Sequence, residues 1–297
     1  MIGVPPFSVG SRRLRAEHGL WLEEGSTSNH LFVCHPFVCN NNSMAKPLSH
    51  LRRFERLEPR LVLTVIINEI DSDTFSVDTA EFIELYDGGA GDTDLSGLVV
   101  VLYNGGDDAS YRAFDLDGFQ TDANGFFVLG NLAVPNVDLV FGNTVLQNGP
   151  DAVAVYQGDA ASFPNDTPIV TDDLIDAVVY GTSDADDAGL AVLLEAGETQ
   201  LDEDENDGKD AVSLQRMPDG ASSFVTTLPT PGAMNVIPTV PIHEVQGAGT
   251  SSPIDGARVT VEGVVVGDYQ GADALDGFFL QDAVGDGLAE TSKASAP

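Results

Sequence analysis

Hydrophobic positions from Val65 onward fall in short clusters, broken at turns, with no heptads and no sustained 3.6-residue period. The clusters are VIINEI (65–70), AEFIELYD (80–87), LSGLVVVLYN (95–104), YRAFDLD (111–117), GFFVLGN (125–131), AVAVYQG (152–158), DAVVYG (176–181) and AVSLQR (211–216). Val, Ile, Phe and Tyr dominate them, as expected of strands. Asp87-Gly88-Gly89, Asn104-Gly105-Gly106, Asn124-Gly125, Asn148-Gly149-Pro150 and Asp219-Gly220 punctuate them with turn chemistry. The 80–87 run reads as a mostly buried strand with acidic ends. At least seven short strands with regular turns predict an all-β, antiparallel β-sandwich over 65–235. One short helix is expected around Ala185–Ala196.

Beyond Pro229, Pro231 and Gly232, which stop the last strand, VIPTVP (236–241) reads as a linker. IHEVQG (242–247), a stretch within 251–271 that curves at Gly263, and DGFFLQD (276–282) then read as strands of a second, incomplete module over 242–297.

The motifs INEI (67–70), EFIELYD (81–87), DLSGLVVVLYNG (94–105), NGFFVLGN (124–131), NGPDAVAVYQG (148–158), LIDAVVYG (174–181), SLQRMPDG (213–220) and PTPGAMN (229–235) together resemble the lamin tail domain. The resemblance implies an immunoglobulin-like β-sandwich that is not itself catalytic. Bacterial members of that family are accessory modules of secreted nucleases, phosphatases and surface proteins. Residues 242–297 resemble the start of the OB-fold-like module of secreted bacterial nucleases, which there follows a lamin tail domain and precedes an endonuclease/exonuclease/phosphatase domain. The chain departs from that pattern. An OB barrel needs five strands, about three are expected here, and the catalytic domain is missing. The implied protein is a secreted, non-catalytic accessory part of an extracellular nuclease, serving adhesion or substrate or partner binding. The alternatives are an active metal-dependent nuclease, or a surface structural protein unrelated to nucleases.

Charge divides the chain. Residues 1–63 hold eight Lys and Arg against five acids, a net of +3, whereas 64–297 hold five against 42, a net of −37. MAKPLSHLRRFERLEPRLVLTVII (44–67) has the order of an export signal, basic and then apolar. Its FERLEPRLVLT box resembles the amino-terminal segment of many large secreted bacterial proteins. The expectation is a poorly structured leader over 1–64, with the export-like segment at 44–64 and Met44 as a candidate start. Secretion or a cell-surface location follows, with no transmembrane segment, since no run reaches ~18 apolar residues. Cys34 and Cys39, flanked by His30 and His35, lack the second ligand pair of a zinc finger. The body from 64 onward has no cysteine, so packing rather than disulfides must hold it.

The same charge excludes unaided nucleic-acid binding, which needs Lys and Arg on phosphates. A protein or cell-surface partner of unknown identity is expected, and a monomer. Nuclease chemistry needs clustered carboxylates with a His or Lys. The body supplies carboxylates but only His243, Lys209 and Lys293 besides its three arginines, and His243 sits in a strand-like motif. The best ligand-like cluster is LDEDENDGKD (201–210), where Asp202, Asp204, Asn206 and Asp207 offer oxygens suited to a hard cation such as Ca²⁺. It is no EF-hand, because its glycine is one place late and Ser213 stands where a Glu belongs. Asp184, Asp186 and Asp187 form a second acidic loop, and Asp282 with Asp286 a third.

Overall fold

A computed structural model describes residues 65–270 and 277–282. The export-like segment, the cysteine pair, Asp286 and Lys293 lie outside the described residues.

The body is a β-sandwich. The strands are β1 (Ile66–Asp71), β2 (Phe82–Tyr86), β3 (Leu98–Asn104), β4 (Ala109–Asp115), β5 (Phe126–Gly130), β6 (Leu139–Val140), β7 (Asp151–Gln157), β8 (Leu174–Gly181), β9 (Leu201–Asp202), β10 (Ser213–Arg216) and β11 (Phe224–Thr227). One sheet has the order β11-β10-β1-β2-β5-β6, the other β4-β3-β7-β8-β9. Pairing is antiparallel except at the two-residue strands, β6 beside β5 and β9 beside β8. All eight apolar clusters named above contribute a strand.

Why LVVVLY is apolar throughout follows from the layering. Alternate residues of a strand point to opposite faces. Val100 and Leu102 enter the core between the sheets, with Ile83, Leu85, Phe127, Leu129 and Leu214. Val99, Val101 and Tyr103 face the other way, beneath Phe163, Leu190 and Leu193. β3 is therefore buried on both faces. The helix expected at Ala185–Ala196 is a single 3₁₀ turn, Leu190–Leu193. Asp187 Oδ1 accepts the amides of Gly189 (2.8 Å) and Leu190 (2.9 Å), which starts the turn there. By Leu194 the backbone is already extended, so the turn serves as a two-leucine lid.

The outer face of the first sheet carries an apolar patch of Phe82, Val128 and Val134 and, beside it, a pair of buried acids. A bulge between Ile67 and Glu69 in β1 sets Glu69 opposite Glu84 of β2. Residues 228–235 cross over this pair as a strap. Thr230 donates its amide and hydroxyl to Glu69 (2.9 Å each), and the Gly232 amide donates to Glu84 (2.7 Å). Asn235 finishes the strap by donating to the Arg216 carbonyl (2.9 Å).

The region after the strap packs on the sandwich. Residues 236–241 pair with Thr260: its carbonyl accepts the Val240 amide and its amide donates to Pro238, both at 2.8 Å. The strand expected at 242–247 is instead the helix α1 (Ile242–Gln246). The Pro241 carbonyl accepts the Glu244 and Val245 amides, and the Asp282 carboxylate accepts those of Ile242 and His243. Those partners satisfy the first turn of a helix, where amides lack intrahelical acceptors. β12 (Val264–Tyr269) and β13 (Gly277–Gln281) form a two-stranded sheet with Val264, Val265 and Val266 half-exposed.

Gly208 and Gly256 meet backbone to backbone. Gly256 has φ +76, and a Cβ there would lie 2.4 Å from the Gly208 Cα. Nothing but glycine fits, on both steric and backbone grounds. Gly256→Ala should lower unfolding stability by ~1–3 kcal/mol and speed amide exchange at 251–260. Unchanged exchange there would show that the contact is not made in solution.

Candidate functional site

Of the four residues picked out as cation ligands, Asp202 ends β9 and the other three occupy the loop after it, but their side chains diverge. Asp202 Oδ1 accepts the amides of Ser183 (2.8 Å) and Asp204 (2.9 Å). Asp204 accepts the Ser183 hydroxyl (3.0 Å) and the Lys209 amide (3.3 Å). Asn206 turns away, donating to Thr226 (3.3 Å). Asp207 sits at φ +59, a left-handed position that Asp tolerates. The geometry thus joins Asp202 and Asp204 through Ser183 and leaves Asn206 on β11. Among the described residues, no group of three or more His, Cys, Asp or Glu is arranged to hold a metal ion.

The second acidic loop is likewise turned on itself. Asp184 accepts the Thr182 amide (3.1 Å), and Asp187 starts the 3₁₀ turn. In the third, Asp282 Oδ2 lies 2.9 Å from His243 Nδ1. That contact, with the two α1 amides, holds the Asp282 carboxyl below its usual range.

What the 201–210 loop does form is one wall of a groove of about 500 Å³. Asp204, Asp207, Lys209 and Asp210 face Asp255 across it, and Phe75, 79% exposed, stands at its mouth. Lys209 is the groove's cation, and its ammonium is bound 2.5 Å from Asp73, which raises its pKa. Four carboxylates therefore confront solvent with their one basic neighbour already paired.

Sequence reasoning missed a second set of acids altogether. Glu69, Asp71, Glu81, Glu84 and Glu203 are fully or almost fully buried. Glu69 accepts from Ser213 (2.6 Å) and Gln215 (3.1 Å) besides Thr230. Glu84 accepts from Asn68 (2.9 Å) and Gly232. Burial pushes Glu69 up to about 7. Burial, reinforced by the facing Glu69, pushes Glu84 up to about 9. Burial also raises Asp71 and Glu203, each beside further acids; Glu203 accepts the Ser72 amide and hydroxyl. Glu81, held by Asn131 and Val145, rises to about 7 for the same reason. None of the five lines the groove. Glu69, Glu81, Glu84 and Glu203 fasten loops and the strap, and a carboxyl so used is a structural acceptor.

No family model matches the chain, and no curated protein matches it. No helix among the described residues is long and apolar enough to cross a membrane.

Proposed function

We propose that this chain is a secreted, non-catalytic module of the lamin tail type, the accessory part of an extracellular nuclease, and that it binds a cationic partner surface. The observation that carries the reading is the groove of Asp204, Asp207, Asp210 and Asp255, whose lysine is neutralised by Asp73. Such a groove attracts a positively charged protein or cell-surface group and repels phosphate. The blocks that resemble the lamin tail domain support the reading as well. INEI, EFIELYD and SLQR become adjacent strands of one sheet, and PTPGAMN becomes the strap over them.

A nuclease function is tested directly by incubating the full chain with supercoiled plasmid in Mg²⁺ and in Ca²⁺. The expected result is no nicking above buffer. Turnover that scales with protein concentration would replace the binding module with a metal-dependent nuclease.

A further inference from the structure

β8 is flanked by β7 along almost its whole length, but on its other side β9 covers only Tyr180 and Gly181. Over Ile175–Val179 no strand among the described residues lies on that side. A strand edge presents main-chain amides and carbonyls ready to pair with another chain, and proteins usually cover such edges or blunt them. This edge opens into a cleft of about 380 Å³, with Ala177, Val178 and Val179 as its floor.

The walls keep the cleft open. On one side the chain reaches β9 from outside, through a turn at 194–199. That turn is closed on itself: the Glu198 carboxylate accepts the Glu195 amide (3.0 Å) and the Glu198 amide donates to the Glu195 carbonyl (3.1 Å). On the other side stand Ser222 and Phe224. The Phe224 ring is fixed beneath the Arg216 guanidinium, 4.6 Å from its centre. Arg216 itself is committed to Asp176 and to the Ile67 and Ala221 carbonyls. The charges lining the cleft are thus Glu195 and Glu198, with an apolar interior of Ala177, Val179, Leu194, Leu201 and Phe224.

We propose that this cleft receives a short extended peptide, which adds to the free edge of β8 as a strand. Main-chain hydrogen bonds to β8 supply the attachment, and alternate side chains supply selectivity. Small apolar side chains fit the interior, and lysine or arginine between them faces Glu195 and Glu198. The free edge is five residues long, so at ~3.4 Å per residue the peptide engages over about the same length. The site involves neither Asp204, Asp207, Asp210 nor Asp255, so it stands or falls separately from the acidic groove.

The probe is an end-blocked hexapeptide of alternating lysine and valine, titrated onto the full chain while amide exchange is followed. Saturation should slow exchange at Ala177 and Val179, whose amides point away from β7, by about tenfold or more. The same peptide with every backbone amide N-methylated should bind at least about tenfold more weakly, because it cannot pair as a strand. Ser222→Trp, an exposed position, should fill the cleft and abolish binding with the circular dichroism unchanged. Glu195→Gln with Glu198→Gln should weaken it several-fold. No saturable binding would overturn the proposal. So would equal binding of the methylated peptide, which would indicate bare attraction to an acidic protein. Protection at 251–255 in place of Ala177 and Val179 would overturn it too, while placing the cation in the acidic groove.

Discussion

Between pH 5 and pH 9 the melting temperature of this protein should fall, and Glu84→Gln should remove a large part of the fall. A carboxyl whose pKa is raised by folding keeps its proton at a pH where the unfolded chain has lost it. Over that interval the folded state binds more protons, so every upward step in pH favours unfolding. The contribution is complete below about pH 4.5, the ordinary glutamate value, and is spent once pH passes the folded value. For Glu69 and Glu81 that value is about 7, and for Glu84 about 9. At ~1.4 kcal/mol per pKa unit, Glu84 alone accounts for several kcal/mol, or a fall on the order of 10 °C in a domain of this size. Gln at position 84 keeps an acceptor for the Gly232 amide but has no proton to lose. Melts at fixed ionic strength from pH 5 to 9 check this. A flat profile in the unmodified protein, or the same slope in the variant, would sink it.

Arg216→Met should cost ~3–5 kcal/mol in urea unfolding, the range for removing one partner of a buried ion pair. Arg216 lies in β10 of one sheet and reaches Asp176 in β8 of the other with one guanidinium nitrogen, at 3.1 and 3.2 Å. Its Nε donates to the Ile67 carbonyl (2.7 Å), and another nitrogen donates to that of Ala221 (2.8 Å). It is the cross-tie of the sandwich in a body with very few cations. Truncation leaves Asp176 buried with only the Ile67 amide (2.7 Å) as donor. Arg216→Lys should recover little, because a point ammonium cannot reach three acceptors in a fixed fork. The double change Arg216→Met with Asp176→Leu should regain most of the loss, since no lone charge is then buried. If the double variant is as unstable as the single one, the arginine acts through packing alone.

The strands were legible because each carries its own signal. β3, β5 and β7 are apolar runs bounded by glycine turns, and no distant partner is needed to read them. The two-residue strands β6 and β9 hold too few positions for any period to register. IHEVQG alternates like a strand, yet it coils because Pro241 precedes it and Asp282, forty residues on, caps it. The acids fail for the same non-local reason. Glu81 looks like the polar end of a strand, and nothing local shows what covers Glu84 in its middle, until the chain returns: Thr230 and Gly232 turn Glu69 and Glu84 into interior residues, and Val145 reaches Glu81. At 201–210 the composition is legible, but the direction of each side chain is set by Ser183 and Thr226, which the loop's own spelling does not contain.

The strap also orders events at the ribosome. β1 emerges early, yet its β10 neighbour Gln215, which donates to Glu69, follows 146 residues later, and Asn235, which donates to the Asn68 carbonyl, 167 residues later. At ~5–20 residues per second that is a wait of roughly ten to thirty seconds. In the unfolded chain Glu69 and Glu84 have ordinary glutamate acidity and are ionised at neutral pH. When residues 228–235 finally cross the sheet, Glu84 must take up a proton at neutral pH. Completion of the fold is therefore coupled to proton uptake, and acidification of the medium should shift the balance toward the closed strap.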